Sequence, residues 1–359
     1  MKEWIDEAAD QRKGEEIDAE ALKEFLYQHL EASGTDEINN IEVLQFPGGH
    51  SNLTYLVICD GLELVLRRPP VGNKVASAHD MGREYRVLSK LCEVYPPAPR
   101  PYLYCDDEEV LGVPFYLMER RQGIILRREL PAGLNLPPVL AGRLSEAFID
   151  NLAALHTLDY EAAGLGKLGR PEGYVKRQVE GWVQRYQAAQ TDEWPELDEV
   201  AAWLIGNMPE ESRAALIHND YKFDNLVLDP TNLTRIVGVL DWEMSTIGDP
   251  LMDLGSTLAY WVEAGDDKAW RANAFGPTFA PGSYSRSQLV ERYGEVTGWE
   301  MSSMTFYFAF GLYKLAGIGQ QIYARYAKGL TKDKRFAKMN QMVGLIGRVG
   351  VAALERDKV

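Results

Sequence analysis

The chain of 359 residues carries a net charge of −15, and its hydrophobic and charged fractions, 46% and 25%, are those of an ordinary globular protein. This length suffices for two lobes with separate cores. The acidic balance argues against a nucleic-acid partner, and no apolar run approaches the ~20 residues of a membrane helix. Three cysteines without a CxxC pair and an acidic N-terminus without a signal peptide predict a cytoplasmic protein without membrane partners.

The first 119 residues predict a short helix followed by a small antiparallel sheet. Asp18 can cap the helix, and Asp60-Gly61 can form the tight turn of a hairpin. The predicted strands span residues 41–46, 53–59, 62–67, 102–105 and 115–119, with a further helix over residues 79–91. We divide this part into a helical extension, residues 1–35, and a nucleotide-binding lobe, residues 36–119.

After residue 119 the pattern becomes mainly helical. A hairpin over residues 226–240, which turns at Asp229-Pro230-Thr231-Asn232, is the one clear sheet element. Apolar stripes at helical spacing recur in segments at residues 143–158, 175–189, 307–326 and 335–354. The sequence therefore predicts an α+β fold of two lobes, in which residues 120–359 form the helical lobe.

The segment from residue 218 to residue 253 has the residue types and the spacing of a phosphoryl-transfer site. Phosphoryl transfer needs a carboxylate that accepts the proton of the attacking hydroxyl, and oxygen ligands for Mg²⁺. In kinases the base Asp precedes a metal-binding Asn by five positions, and a second metal-binding Asp follows later in the chain. Asp220 and Asn225 have this spacing, and Asp241 ends the return strand of the predicted hairpin. The three residues predict transfer of a nucleotide's γ-phosphoryl group.

The same stretch resembles a known family. Residues 216–225 (LIHNDYKFDN) and 239–244 (VLDWEM) resemble the aminoglycoside phosphotransferase and choline kinase superfamily, whose fold is protein-kinase-like. Within it they are similar to the kinase-like part of some acyl-CoA dehydrogenase family proteins, as are residues 151–159 and 174–186. The resemblance covers residues 40–350. It implies a two-lobed kinase-like fold, ATP and Mg²⁺ as cofactors, and a small molecule with a hydroxyl group as acceptor.

The resemblance also implies roles for single residues. Asp220 is the expected catalytic base, and Asn225 and Asp241 are the expected Mg²⁺ ligands. Lys222 either contacts the transferring phosphoryl group or is a solvated loop lysine. His218 is expected to support the loop by hydrogen bonding rather than to react.

Three acidic residues beside the motif are interpreted as supporting residues. Glu243 either joins the metal ligands or supports them from behind. Asp249 and Asp253 match the family's Gly-Asp-Pro-x-x-Asp segment, and both are interpreted as structural. Asp253 either ties the catalytic loop in place or occupies the first turn of a helix, where an acid is favourable.

The sheet lobe is predicted to hold the nucleotide. The loop over residues 46–55 joins two strands, and its glycines let the backbone approach phosphate. Ser51 and Asn52 in this loop can donate hydrogen bonds to the phosphates. The segment between the lobes can offer adenine one donor and one acceptor, and we assign these main-chain contacts to Glu119 and Arg120.

The strand after the loop should carry a cation for the α- and β-phosphates. Arg67 stands where the superfamily usually has lysine. Arginine keeps the charge and adds a bidentate fork, but it needs more room. Glu84 in the following helix is either the ion-pair partner of Arg67 or an exposed helix acid.

These observations predict an ATP-dependent small-molecule kinase, with the acceptor class left open. An amino-alcohol or an aminoglycoside would need carboxylates, and candidates lie at residues 191–199 and 263–267. A hydroxyacyl acceptor, as a CoA thioester, would need cations. Candidates for these cations are Lys167, Arg170, Lys176 and Arg177.

Three other interpretations are less consistent with the sequence. A nucleotide-binding pseudokinase should lack the base or a metal ligand, yet Asp220, Asn225 and Asp241 are all present. A metal-dependent phosphohydrolase based on His79-Asp80 would need further histidines nearby, and the five histidines do not cluster. A dehydrogenase is not supported, because Gly317-Ile318-Gly319 lies inside a predicted helix without a preceding strand.

Overall fold

The computed structural model of the chain describes residues 4–30, 38–47, 52–70, 80–210, 213–331 and 333–359. The chain divides into two compact units. Unit 1 comprises Met1–Ile125 and Leu226–Glu243, and unit 2 comprises Leu126–Asn225 and Met244–Val359. The first unit therefore consists of two segments of the chain, which the second unit separates.

The strands are β1 (Ile41–Gln45), β2 (Leu53–Cys59), β3 (Leu62–Arg68), β4 (Pro101–Cys105), β5 (Phe115–Glu119), β6 (Ala215–Ile217), β7 (Leu226–Asp229), β8 (Asn232–Val239) and β9 (Thr246–Gly248). The helices are α1 (Ala19–Leu30), α2 (Met81–Leu91), α3 (Glu108–Leu111), α4 (Pro138–His156), α5 (Tyr174–Ala189), α6 (Pro195–Gly206), α7 (Pro250–Tyr260), α8 (Lys268–Arg271), α9 (Arg286–Thr297), α10 (Met304–Ala327) and α11 (Met339–Arg356).

Unit 1 is built on a five-stranded antiparallel sheet with the strand order β1-β2-β3-β5-β4. The hairpin of β2 and β3 pairs Cys59 with Leu62. Both residues between them have positive φ, 46° at Asp60 and 91° at Gly61. This turn geometry matches the twist of paired strands, and Asp and Gly tolerate it better than other residues. The sheet and the hairpin expected from the sequence are confirmed.

Helix α1 packs into the core of this unit. Leu22, Phe25 and Leu26 are buried in one apolar cluster with Tyr55 of the sheet. Phe25 meets Phe115 edge to face, with 5.2 Å between the ring centroids, a favoured aromatic geometry. The helix expected as an N-terminal extension is therefore part of the core of unit 1.

The hairpin of β7 and β8 also belongs to unit 1. Ile124 and Leu228 exchange two backbone hydrogen bonds, of 2.8 and 2.9 Å. The division drawn from the sequence placed this hairpin in the helical lobe and the boundary at residue 119. In the structure the first segment of unit 1 instead ends at Ile125, and Leu226–Glu243 joins it. The hairpin pairs with backbone far away in the sequence, which a local pattern does not reveal.

Unit 2 is mainly helical, and α7 and α10 lie unusually close together in it. A Cβ atom added to Gly255 would lie 2.1 Å from the carbonyl oxygen of Tyr307. A Cβ atom added to Gly311 would lie 2.2 Å from the carbonyl oxygen of Gly255. Every residue of α7 is buried. Within the ranges that the structure describes, no helix is both long and apolar enough to cross a membrane.

A second small sheet in unit 2 positions the predicted motif. Strand β6 pairs with β9 in antiparallel register, Ala215 with Gly248 and Ile217 with Thr246. The sequence did not predict this pair, because each strand has only three residues. The loop that starts at His218 follows β6 directly, and Asp249, which follows β9, caps α7 by accepting a hydrogen bond from the amide of Leu251.

Candidate active site

The loop after β6 holds the carboxylate of Asp220 by one of its two oxygens. Oδ2 accepts hydrogen bonds from Lys222 Nζ at 2.6 Å and from Asn225 Nδ2 at 2.9 Å. The amide of Asp220 donates to His218 Nδ1 at 3.2 Å, so the buried histidine supports the loop as expected. Among the described residues, Oδ1 of Asp220 has no hydrogen-bond partner. Oδ1 is therefore the oxygen that is available to accept a proton.

Asn225 is oriented by the same contacts. Its Nδ2 also donates to the backbone carbonyl of Asp220 at 2.8 Å, and its side chain is buried. Both contacts use the amide nitrogen, so the amide oxygen points elsewhere and accepts from none of the described residues. A carbonyl oxygen in this orientation suits a hard cation.

Lys222 lies beside Asp220 and is largely removed from solvent. Its Nζ forms the 2.6 Å ion pair with Asp220 and lies 4.9 Å from the ring centroid of Tyr260. Asp224, two residues further on, is partly buried, and this burial raises the pKa of its carboxyl. Contact of Lys222 with a phosphoryl group stays a prediction.

Asp253 fixes the start of the loop from α7. Its Oδ2 accepts the amide of His218 at 2.7 Å, and its Oδ1 accepts the amide of Asn219 at 2.9 Å. Burial opposes its ionisation, but the hydrogen bond and charge of His156, 3.1 Å away, lower the pKa of this fully buried carboxyl. Asp253 thus ties the loop that starts at His218 in place, and it also lies in the first turn of α7, so both expectations are met.

Asn219 takes a backbone conformation that few side chains tolerate. Its φ is 68°, in the left-handed region where Asn is enriched. Its side-chain amide donates to the carbonyl of Met244 at 3.0 Å, and its own carbonyl accepts from Lys314 Nζ at 2.7 Å. The residue before Asp220 is therefore held by α10 and by the segment before β9.

A second group of predicted site residues meets in unit 1. Arg67 Nη2 donates to Asp241 Oδ1 at 2.9 Å, and Arg67 Nε lies 3.4 Å from Glu84 Oε2. The expected ion pair of Arg67 with Glu84 is thus present, and Glu84 is a buried residue of α2 rather than an exposed helix acid. Burial opposes the charge of Arg67, but Glu84, Tyr116 and Asp241 raise its pKa well above the ordinary value.

Burial raises the pKa of Glu84, against the attraction of Arg67. Glu84 Oε1 also accepts the amide of Trp242 at 3.1 Å, which attaches α2 to the turn that follows Asp241. Asp241 itself has a φ of 69°, again in the left-handed region. Asn219 and Asp241 thus share a left-handed backbone conformation, which costs free energy and often marks functional sites.

Glu243 connects Arg67 with Asn52, the residue just before β2. Its Oε2 accepts from Asn52 Nδ2 at 2.7 Å and lies 3.9 Å from Arg67 Nη2. Arg83 of α2 donates to its backbone carbonyl at 3.0 Å. Asn52, predicted to contact phosphate, is thus placed with Arg67, whereas Ser51 lies outside the described residues.

The segment after β5 shows where the two predicted adenine contacts lie. The amide of Glu119 donates to the carbonyl of Arg100 at 2.8 Å, so this donor is already used within unit 1. The side chain of Arg120 pairs with Glu63 at 2.8 Å and with Glu7 at 3.0 Å. Contact of this backbone with adenine stays a prediction.

The chemistry of the side chains fits Mg²⁺ at the two predicted ligands. Asp241 offers a carboxylate and Asn225 an oriented amide oxygen. The described ranges contain no cluster of three or more His, Cys, Asp or Glu side chains that would form a self-sufficient metal site. Mg²⁺ with one or two protein ligands commonly completes its coordination with phosphate oxygens and water, so such a cluster is not required.

Sequence reasoning missed two residues that hold the loop. Lys314 is buried, and it is the only charged residue of α10 before Arg325. A lone lysine in an apolar helix is a signal for a specific buried partner. His156 is fully buried between Asp253 and Tyr293, whose hydroxyl lies 2.7 Å from Nδ1. Its position at the end of an amphipathic helix gave no such signal.

Comparisons with known proteins identify the family of this chain. The model of the phosphotransferase enzyme family matches residues 42–285. The human protein acyl-CoA dehydrogenase family member 11 is 34% identical over an alignment of 323 positions that covers 87% of this chain and 40% of that protein. The chain thus spans about 40% of the length of this relative.

Solved structures are similar over most of the chain. One from Ralstonia eutropha, provisionally named an aminoglycoside phosphotransferase, has a TM-score of 0.79 and 31% identity, covering 95% of this chain and 99% of its own. Choline kinase from Cryptosporidium parvum has a TM-score of 0.65 at 14% identity, covering 94% and 96%. A complex of aminoglycoside phosphotransferase APH(4)-Ia with AMP-PNP and hygromycin B has a TM-score of 0.58 at 16% identity, covering 93% and 98%.

The latter two likenesses concern the fold alone, and they confirm a kinase-like α+β architecture. The family model covers more than half of the chain, over the stretch that contains every predicted catalytic and metal-binding residue. The chain belongs to the phosphotransferase enzyme family.

Proposed function

We propose that the chain is an ATP-dependent small-molecule kinase that transfers the γ-phosphoryl group to a hydroxyl of its acceptor. One observation carries this proposal. Asp220 Oδ2 is fixed by Lys222 and Asn225, while Oδ1 has no partner among the described residues. A carboxylate held in this way can accept the hydroxyl proton with one oxygen without losing its orientation.

In the proposed reaction the acceptor hydroxyl approaches Asp220 Oδ1. Its oxygen forms the new bond to the γ-phosphorus as the bond to the β-phosphate oxygen breaks, and its proton passes to Oδ1. Lys222 offsets negative charge beside the base. Arg67 orients the nucleotide phosphates, with Glu84 holding its guanidinium. Mg²⁺, when bound by Asn225 and Asp241, screens the charge of the phosphates.

The acceptor is proposed to be a hydroxyacyl metabolite rather than an aminoglycoside or amino-alcohol. The similarity to acyl-CoA dehydrogenase family member 11 supports this choice. The carboxylates expected for a cationic acceptor are partly used elsewhere, since Asp266 and Glu263 both pair with Arg286. A pseudokinase is disfavoured, because the predicted base is oriented rather than displaced.

The test is Mg²⁺-dependent ADP release from ATP across a panel of hydroxyacyl-CoAs, amino-alcohols, sugars and aminoglycosides. Acceptor-dependent ADP release should fall by about 10²-fold or more in Asp220→Asn, since general-base catalysis contributes roughly that much. Glu199→Gln, an exposed change on α6, serves as the control and should keep full activity. Equal turnover by wild type and Asp220→Asn would refute the base, and lack of transfer to any acceptor would favour a binding module.

A further inference from the structure

A cavity of about 330 Å³ lies in unit 2 beside the residue that precedes the base. Asn219 forms part of its wall, together with Tyr174 and Trp182 of α5 and Met244. The cavity therefore combines apolar surface with immediate access to the catalytic loop. Its position suits the part of an acceptor that does not react.

The charge of this cavity is opposite to that of the chain. Four of its ten lining residues are basic and none is acidic, although the chain carries a net charge of −15. We call it the basic cavity and define it by Arg170, Arg177, Arg185 and Lys314. Of the four cations expected from the sequence, Arg170 and Arg177 line it.

The charges of the three arginines of the basic cavity are not neutralised by the protein. Arg170, Arg177 and Arg185 form no ion pair with any carboxylate in the part of the chain that the structure describes. Arg177 donates to the backbone carbonyls of Arg170 and Glu172, which fix the guanidinium without cancelling its charge. Arg185 lies over Trp182, 4.8 Å from the ring centroid, a cation–π contact that also leaves its charge in place.

Helix α5 points its positive end at the same place. The helix begins at Tyr174, which lines the cavity, and its first turn contains no acidic residue. Lys176 and Arg177 lie there instead. Basic residues are unfavourable at a helix N-terminus, whereas a bound anion is favourable there and would offset their charge.

We infer that the basic cavity binds an anionic group, a carboxylate or a phosphate, of the acceptor whose hydroxyl Asp220 activates. Arg170, Arg177 and Arg185 meet the anion at the exposed side of the cavity, and Lys314 closes its inner end. Trp182 and Met244 contact the apolar part of the same molecule. The inference rests on the proposed kinase function only in naming the bound molecule as the acceptor.

The test is calorimetric binding of four probes of equal chain length to the full chain without nucleotide. The probes are 6-hydroxyhexanoate, 6-hydroxyhexyl phosphate, 1,6-hexanediol and 6-aminohexan-1-ol. Both anions should bind about tenfold more tightly than the diol and the amine, or better. Added salt should weaken the binding of the anions. The anion that binds more tightly shows whether the cavity takes a carboxylate or a phosphate.

Variants then locate the binding. The double variant Arg170→Gln/Arg185→Gln should weaken both anions by about tenfold or more, because two charge-assisted contacts are lost. Arg185→Lys should retain part of the affinity. Arg143→Gln on α4 makes the same kind of charge change outside the cavity and should bind as wild type does. Equal affinity for all four probes, no measurable binding of either anion, or an unaffected double variant would overturn the assignment.

The readouts separate this inference from the kinase proposal. In one outcome the wild type binds an anion that the double variant does not bind, but no probe leads to ADP formation from ATP. This result would refute the kinase proposal and leave the cavity assignment standing. ADP formation with the amine probe favoured over both anions would support the kinase and overturn the cavity assignment.

Discussion

Asp220, the proposed base, shows how a carboxylate is oriented by its neighbours along the chain. Lys222 and Asn225 hold one oxygen, and both are within five residues of it. Such a site is readable from the sequence, because the spacing of the residues is set by one loop. Lys314 could not be predicted in this way, since the carbonyl that it contacts belongs to Asn219, far away in the sequence.

Lys314 gives a pH dependence of stability that can be measured. Burial, together with repulsion from Lys222 and Arg185 and against the attraction of Asp253 and Asp220, lowers its pKa from 10.5 to about 8. Below pH 8 the lysine is charged in the folded and the unfolded chain, so the cost of burying the charge is fully present. Between pH 8 and 10.5 the unfolded chain binds the extra proton, so stability should rise with pH.

We therefore expect the difference in unfolding free energy, wild type minus Lys314→Met, to grow by up to about 1.4 kcal/mol per pH unit above pH 8. Denaturant unfolding at a series of pH values measures it. Lys176→Met, at an exposed lysine, should show no such trend. Parallel stability curves for wild type and Lys314→Met would contradict the lowered pKa.

At the scale of elements, the sheet of unit 1 and the helices α4, α5, α10 and α11 of unit 2 were predictable, whereas α7 and the small sheet of unit 2 were not. The strands β1 to β5 alternate in polarity or are bounded by turns, so their pattern shows in the sequence. Helix α7 is buried on all faces, so it lacks the exposed polar face that marks a surface helix. Strands β6 and β9 are too short for a pattern.

The close contact of α7 with α10 predicts that Gly255 cannot be replaced. In Gly255→Ala the new Cβ meets the backbone oxygen of Tyr307, which cannot move unless the helices separate. We expect a loss of roughly 2–3 kcal/mol in unfolding free energy, as for overpacked cores. Gly206→Ala, where nothing lies within 4 Å, should be neutral or stabilising by up to ~1 kcal/mol. Similar unfolding midpoints for the two variants would show that the helices separate at little cost.

At the scale of the whole molecule, the predicted nucleotide and metal residues are distributed over both units. Arg67 and Asp241 belong to unit 1, and Asp220 and Asn225 to unit 2. The family resemblance assigned a role to each of them, because each lies in a short motif. The division of the chain was harder to predict, because it depends on backbone pairing between Ile124 and a distant strand.

Metal removal should reveal the role of Asp241. ADP with Mg²⁺ at a hundred times its Kd should stabilise the wild type by about 2.7 kcal/mol, and chelation of Mg²⁺ should remove most of this gain. In Asp241→Asn the Mg²⁺-dependent part should be largely lost, relative to that variant's own baseline without ligand. Asp229→Asn changes another carboxylate of unit 1, one that pairs with Arg235, and should keep the full Mg²⁺-dependent gain. A full gain in Asp241→Asn would exclude it as a ligand.

The two-segment composition of unit 1 also affects the order in which the chain can fold during synthesis. When the ribosome has delivered Ile125, the sheet of unit 1 is complete, but the hairpin that pairs with Ile124 has not yet been made. Leu226–Glu243, which contains the hairpin and Asp241, emerges only after the first segment of unit 2. Unit 1 therefore matures late, and a fragment that ends at Ile125 would lack both the pairing strand and the carboxylate that Arg67 holds.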